Sequence, residues 1–163
     1  MGAGKICFML RFPVDAVAGI TPFNAPVNLA CHKIASAIAA GNTLVLKAPP
    51  QSPGVIHELA RIFIETGTPA GVLNVLYGES IGSALVRDSR VDFITFTGSS
   101  RVGAEIKAAS GLRRVALELG ANGVTIVHED ANIADANRHF HQVDGTGDPR
   151  RPQYPHRRGH PER

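Results

Sequence analysis

Short apolar runs that alternate with helical patterns constrain this chain more than any other feature. Runs rich in β-branched and aliphatic residues, each as long as a buried strand, lie at residues 16–21, 43–47, 72–76, 93–97 and 115–118, with a further candidate at 124–127. Near-continuous apolar strands joined by helices are typical of a parallel sheet that is covered on both faces. The sequence therefore predicts an α/β fold with an open, mostly parallel sheet of about five strands and helices on both faces.

Helical periodicity appears between these runs, near residues 27–40, 52–67, 80–87 and 100–110. The first helix places Val27, Cys31 and Ile34 on one apolar stripe. In the second, Ser52 stands where a helix cap is expected and Pro53 occupies the first helical position. Ligands bind such sheets where strands end and lead into helices, so the turns after the strands are the places to look for a site.

The charge of the chain is concentrated at one end. The formal net charge is +3, and residues 138–163 carry six arginines against three acidic residues. The body is therefore neutral and lacks the basic groove and interleaved aromatic residues typical of nucleic-acid binding. We expect residues 1–11 to be an edge segment left from a missing N-terminal region, residues 12–137 to form one domain, and residues 138–163 to be a disordered basic tail.

Membrane, disulfide and metal functions receive no support from the sequence. No apolar run approaches the roughly 20 residues that span a bilayer. Cys7 and Cys31 do not suggest a disulfide framework, and a cytoplasmic location is the default. Cys31 is predicted to be a small buried hydrophobe rather than a nucleophile, because His32 lies about 100° around the helix. The histidines of the tail are interrupted by prolines and arginines, so we predict no metal site there.

Two turns carry groups that suit a nucleotide. Gly98 and Ser99 follow the strand at 93–97 and open a helix, where backbone N–H groups and a hydroxyl can bind phosphate. A serine that merely caps the helix is the alternative. Lys47 ends the strand at 43–47, where its ammonium group can reach a ribose hydroxyl or a phosphate, although lysines at strand ends are commonplace.

Two further polar residues suit catalysis. Asn24 lies in a turn stiffened by two prolines, where its amide can donate to a developing oxyanion. The alternative is that it only caps or turns the chain. Glu118 is flanked by leucines, and an apolar setting raises the pKa of a carboxyl group and suits it to activating water. Alternation along the strand can instead turn it towards solvent.

The order of these pieces resembles the coenzyme domain of NAD(P)-dependent aldehyde dehydrogenases. The resemblance rests on residues 20–24 (Ile-Thr-Pro-Phe-Asn), 39–47 (Ala-Ala-Gly-Asn-Thr-Leu-Val-Leu-Lys), 69–75 (Pro-Ala-Gly-Val-Leu-Asn-Val), 96–99 (Phe-Thr-Gly-Ser) and 117–120 (Leu-Glu-Leu-Gly). It covers about residues 12–137 and implies a Rossmann-like fold. It is specific for the family and much less so for any aldehyde.

The resemblance implies a role for each residue. Lys47 would meet the adenine ribose, Ser99 the pyrophosphate, and Gly78 the adenine side of NAD or NADP. Asn24 would stabilise the oxyanion, and Glu118 would activate water. The full coenzyme-binding set that it implies is Thr21, Pro22, Phe23, Lys47, Gly78, Gly98, Ser99 and Leu119.

The chain also departs from the family pattern. Pro50 replaces a glutamate that binds both ribose hydroxyls in many members, so NADP is harder to exclude. The nucleophilic cysteine should follow Glu118 by roughly thirty residues, the scale of one strand-helix-strand crossover, but residues 144–149 contain none. We hypothesise a frameshift or premature end, which reading the other two frames of the coding DNA would test. We therefore expect a chain inactive alone that handles a small aldehyde only if missing regions complete it; a non-catalytic nucleotide-binding module is the alternative. Uncovered apolar surface favours self-association.

Overall fold

The computed structural model describes residue 4 and residues 6–120 and 126–136. The chain divides into two compact units, residues 1–119 and residues 120–163. The elements of the first unit are, in chain order, β1 (Ala16–Ile20), α1 (Pro26–Ala39), β2 (Thr43–Lys47), α2 (Pro53–Glu65), β3 (Leu73–Leu76), α3 (Ile81–Arg87), β4 (Phe93–Thr97), α4 (Ser100–Ala109) and β5 (Arg114–Glu118). They confirm the predicted alternation, with strand and helix ends moved by one or two residues.

The five strands form one parallel sheet in the order β3-β2-β1-β4-β5. Ala18 in the middle of β1 pairs with Val45 on one side and with Ile94 on the other. The chain adds strands outward from β1 in one direction, then returns and adds β4 and β5 in the other. At such a reversal the connections leave the sheet on opposite faces, and a crevice opens at the carboxyl ends of the two central strands.

Side chains alternate between two apolar cores on opposite faces of the sheet. Val17, Leu44 and Leu46 point to one face and pack against α1 and α2. Ile20, Ile94 and Phe96 belong to the core on the other face, which α3 and α4 cover. Burial on both faces explains why the strands read as continuous apolar runs rather than alternating ones. The predicted Rossmann-like architecture is confirmed.

The buried face of α1 differs from the predicted stripe. Val27 is half exposed, whereas Ala30, Lys33, Ile34 and Ala37 are buried. The residues of the first helical turn are exposed or half-buried, so the packed face of the helix begins only at Ala30. Cys31 is a free thiol that is only half-buried, rather than fully buried as predicted, and it packs partly against the core.

Helix ends follow the sequence signals with one correction. Gly41, Gly67 and Gly111 follow α1, α2 and α4, and all three have positive φ angles, which glycine adopts without strain. Pro53 begins α2 as predicted. Ser52 holds the N-cap position, as predicted, but its side chain makes no hydrogen bond to the helix, so the prediction that its side chain caps the helix is wrong. Its backbone has already left the extended conformation that most N-cap residues adopt.

Arg113 joins the C-terminal ends of two helices. Its guanidinium donates to the carbonyl oxygens of Val86 and Asp88 at the end of α3 and to that of Ala109 in α4. It also donates to the carbonyl oxygen of Ser110 at 3.1 Å. The last carbonyls of a helix have no partner within the helix and attract positive charge. One side chain therefore satisfies two helix ends.

The second unit is described only at residues 120 and 126–136. The carboxamide oxygen of Asn132 accepts the backbone N–H groups of Ala134 and Asp135 and caps a short helical turn. In the strand candidate at 124–127, residues 124 and 125 lie outside the described residues, and 126 and 127 are in no strand. The tail predicted at 138–163 also lies outside them. Within the described part of the chain, no helix is long and apolar enough to cross a bilayer.

Candidate active site

A network of polar side chains joins α1 to the strands β4 and β5. The ammonium group of Lys33 donates hydrogen bonds to Thr95 Oγ1 and to Thr97 Oγ1, each at 3.0 Å. The Thr97 hydroxyl in turn donates to Glu118 Oε2 at 3.0 Å. Three elements, α1, β4 and β5, are thus joined by one chain of hydrogen bonds beside the crevice.

Lys33 is the least expected member of this network. Only 7% of its surface is exposed, although it carries a charge. Burial lowers the pKa of Lys33 from its ordinary value, and the negative charge of Glu118 opposes that shift. The two threonine hydroxyls offset part of the cost of burying the ammonium group. An ammonium group held in this way is fixed in position and loses its proton more readily than an exposed one.

Gly19 lies next to the stem of this lysine. It lies in the middle of β1, on the face that α1 covers. A Cβ at this position would lie 3.6 Å from Lys33 Cδ, and 3.1 and 3.2 Å from the Cδ1 atoms of Leu46 and Leu44. The absence of a side chain lets the stem of Lys33 lie across β1 towards β4.

A cavity of about 230 Å³ opens next to this network. His32 and Lys33 of α1, Thr95 of β4, and Ala116 and Glu118 of β5 contribute to its lining. Helix α1 does not cover this face of β5, where Ala116 and Glu118 are exposed. The network therefore faces space that a ligand can enter.

Glu118 occupies a different environment from the one predicted. It lies on the exposed face of β5, whereas Leu117 points to the opposite face and packs against the core between the sheet and α4. Its neighbours across the strand are Thr97 and, through it, Lys33. The expectation of an apolar setting is wrong because adjacent residues of a strand point to opposite faces. The carboxylate is instead accessible and oriented by a hydrogen bond.

Ser99 and the first turn of α4 form the second part of the site. Ser99 is the N-cap of α4, and its hydroxyl oxygen accepts the backbone N–H of Val102 at 3.4 Å. The hydroxyl proton remains able to donate to a ligand. Gly98 packs so closely on Phe96 that a Cβ would lie 2.5 Å from the Cζ atom. The turn thus needs glycine, and the first N–H groups of α4 point towards the crevice edge.

Lys47 and Gly78 lie on the other side of the crevice, at the ends of β2 and β3. Burial lowers the pKa of Lys47 from its ordinary value, and the nearby charge of Glu79 opposes this. Thr21 is buried, and its hydroxyl donates to the carbonyl oxygen of Lys47 at 3.5 Å, which links the ends of β1 and β2. Gly78 has a φ angle of 139°, in the region that favours glycine.

The turn between β1 and α1 presents Asn24 to solvent. Asn24 and Phe23 are exposed and Pro22 is half-buried. Ala25, not Asn24, holds the N-cap position of α1, so the structure does not support capping as the role of this asparagine. Leu119, the last residue of the unit, packs against α4, where a Cβ on Gly103 would lie 2.4 Å from Leu119 Cδ2.

Comparison with known proteins now decides the family. The sequence profile of the aldehyde dehydrogenase family matches residues 1–142. The chain belongs to the aldehyde dehydrogenase family. It is 48% identical over 134 residues to a 3-sulfolactaldehyde dehydrogenase of Priestia aryabhattai, and 43% identical over 138 residues to a lactaldehyde dehydrogenase of Methanocaldococcus jannaschii. These matches cover 81% of this chain but only 28% and 30% of the two relatives. The chain thus spans less than a third of their length.

Solved structures of the family share the fold. An aldehyde dehydrogenase of Mycobacterium tuberculosis in complex with NAD+ matches with a TM-score of 0.68 and 42% identity, over 76% of this chain and 26% of that one. The glyceraldehyde-3-phosphate dehydrogenase GapN of Methanocaldococcus jannaschii in complex with NADP matches with a TM-score of 0.67 and 43% identity, over 77% and 29%. The family thus includes structures with either coenzyme.

The sequence analysis overlooked Lys33 and the two threonines. A charged residue at a helix position flanked by Ala30, Ile34 and Ala37 signals a lysine drawn into the core. That signal was available in the sequence, but its partners were not, because their approach depends on which strand lies beside β1. Within residues 4, 6–120 and 126–136, no group of three or more His, Cys, Asp or Glu side chains can hold a metal ion.

Proposed function

We propose that this chain is the coenzyme-binding region of an NAD(P)-dependent aldehyde dehydrogenase that oxidises an aldehyde to a carboxylic acid. The observation that carries the proposal is the chain of hydrogen bonds from Lys33 through Thr97 to Glu118, beside the crevice where a parallel sheet binds its ligand. A carboxylate held open to a cavity and linked to a buried ammonium group suits the removal of a proton from water.

The coenzyme fits the residues along the crevice. Lys47 would meet the adenine ribose, with Thr21 holding the strand end that carries it. Ser99 and the first N–H groups of α4 would hold the pyrophosphate. Gly78 and Gly98 would form the tight turns beside the coenzyme, since Ile81 and Phe96 occupy the space that a side chain would need there. The turn with Pro22 and Phe23, together with Leu119, would complete this side. When bound, the coenzyme accepts a hydride from the aldehyde carbon.

The residues of the chain would divide the remaining chemistry between them. The amide of Asn24 would donate to the oxygen of the aldehyde as negative charge develops on it. Glu118 would take a proton from the water that attacks the acyl carbon, and Thr97 and Lys33 would hold the carboxylate in place. The balance is aldehyde, water and NAD(P)+ giving acid, NAD(P)H and a proton.

Neither Cys7 nor Cys31 is placed to act as the nucleophile. Cys31 packs on the core side of α1, and Cys7 lies before β1 on an exposed segment. We propose that the chain alone binds the coenzyme without turning over aldehyde, in the cytoplasm. Exposed apolar side chains near the N-terminus favour association with another chain; they are Ile6, Phe8, Met9, Leu10 and Phe12.

Titration with NAD and NADP together with an aldehyde-dependent NADH assay tests this. We expect coenzyme binding without turnover by the chain alone. Turnover would show that a nucleophile is present after all. Absence of binding to either coenzyme would overturn the proposal. The second candidate function, a non-catalytic nucleotide-binding module, shares the binding result, and only a chain extended to the length of its relatives distinguishes it, by remaining inactive.

A further inference from the structure

The segments that follow β2 and β3 start side by side at the crevice. Lys47 and Leu76 are register partners in the two strands. The backbone N–H of Ala48 donates to the carbonyl oxygen of Leu76 at 2.9 Å, which extends the pairing beyond the last residue of β2. The residues after Leu76 therefore leave the sheet next to the base of the Lys47 side chain.

A carboxylate follows within three residues of this contact. Gly78 has a φ angle of 139° and redirects the chain, and Glu79 comes next with an exposed side chain. Glu79 is the residue whose charge acts on Lys47. The pair forms no direct salt bridge among the described residues, so the two charges act on each other at a distance.

The segment after β2 lacks an acidic residue. Residues 48–52 read Ala-Pro-Pro-Gln-Ser. In dinucleotide-binding sheets an acidic residue beyond the second strand accepts hydrogen bonds from the ribose hydroxyls, and it repels a 2′-phosphate. Here Glu79, after β3, is the carboxylate near the lysine. A 2′-phosphate adds about two negative charges at neutral pH where NAD has a neutral hydroxyl.

We propose that Glu79 sets the discrimination between NADP and NAD, because its carboxylate competes with a 2′-phosphate for the positive charge of Lys47. The inference rests on the proposed coenzyme function and adds a specificity residue to it. With Glu79 present the lysine charge is partly compensated and both coenzymes are accepted. Without it, Lys47 favours the phosphorylated form.

Calorimetric titration of the full chain and of Glu79→Gln with NADP and with NAD tests this. We expect Glu79→Gln to tighten NADP binding about fivefold and to change NAD binding less than about twofold, as expected for a partly screened charge pair near the surface. Raising the salt concentration should shrink the NADP effect, because salt screens such interactions. The matched control is Glu65→Gln at the far end of α2, which changes the net charge equally and should leave the NADP to NAD ratio unchanged.

The double variant Lys47→Gln/Glu79→Gln isolates the pair. In the Lys47→Gln background, loss of Glu79 should change the NADP to NAD ratio less than about twofold. If Glu79→Gln changes both coenzymes equally, or has its full effect without Lys47, the inference is wrong while the coenzyme function stands. If the unaltered chain binds neither NADP nor NAD, the coenzyme function fails and this inference fails with it.

Discussion

Lys33 and Lys47 lie at the same edge of the sheet and differ in what surrounds them. Lys33 is buried, and two threonine hydroxyls from β4 accept its hydrogen bonds. Lys47 is half-buried at the end of β2, and its charge interacts with that of an exposed glutamate, Glu79. Burial lowers the pKa of both lysines. Two threonine side chains hold the first ammonium group in place, whereas the charge of a glutamate acts on the second.

The comparison separates two uses of a buried charge. A charge satisfied by the protein fixes geometry, since moving it would leave polar groups without partners. A charge that the protein leaves partly unsatisfied at a crevice can be stabilised by binding an anion. In the proposed coenzyme site, the end with Lys33 would therefore be organised before any ligand arrives, and the end with Lys47 is where we expect the charge of the ligand to decide affinity.

Replacing each lysine in turn by alanine should give the largest difference in the free energy of unfolding. Lys33→Ala should lower the free energy of unfolding by about 2–3 kcal/mol, because it opens a cavity over β1 and leaves Thr95 without its partner. Lys47→Ala should cost less than about 1 kcal/mol, in the range of surface substitutions. Urea denaturation followed by circular dichroism measures both. Equal losses would show that the two lysines do not differ in the way described.

Filling the space beside Lys33 should have the next largest effect. Gly19→Val should cost about 2 kcal/mol of unfolding free energy, because its methyl groups would collide with Leu44, Leu46 and the stem of Lys33. Gly82→Ala is the matched control in α3, where a Cβ meets nothing within 4 Å. It should be neutral or add up to about 1 kcal/mol. A tolerated valine at position 19 would mean that the lysine does not need this path.

Lys33 should also make a smaller contribution to stability, one that depends on pH. Its pKa is lowered in the folded chain, so the unfolded chain binds more protons as the pH approaches the ordinary value of 10.5. The free energy of unfolding should therefore gain a rising contribution with pH in that window. Lys33→Met keeps the apolar stem and should remove this contribution. Denaturation at several pH values up to about 10 measures the slope; an unchanged slope in the variant contradicts the assignment.

The fold followed from the sequence because strand and helix periods, glycine stops and Pro53 all act locally. The apolar runs gave five strands, and burial on both faces gave their parallel arrangement. Two details of the helices were predicted wrongly. Val27 is half exposed rather than buried, and Ser52 holds a cap position without the cap hydrogen bond. The periodicity of the sequence predicts neither the exposure of Val27 nor the hydrogen bonding of Ser52.

The site was predicted only as separate pieces. The strand-end positions of Lys47, Ser99 and Glu118 follow from where the runs stop, which the sequence shows. The link from Lys33 to Glu118 passes through Thr97 and needs the pairing of β4 with both β1 and β5. That pairing joins residues far apart in the chain, so it becomes visible only with the three-dimensional structure.

The guanidinium of Arg113, bound to the ends of α3 and α4, bears on how the chain comes apart. Two helices that share one set of terminal hydrogen bonds lose them together, so neither frays alone. Amide hydrogens of α3 and α4 should exchange with solvent as one cooperative group, distinct from those of α2 across the sheet. The half of the sheet that carries Thr97 and Glu118 should therefore open as one unit with these helices, and the Glu118 carboxylate should keep its orientation until that unit unfolds.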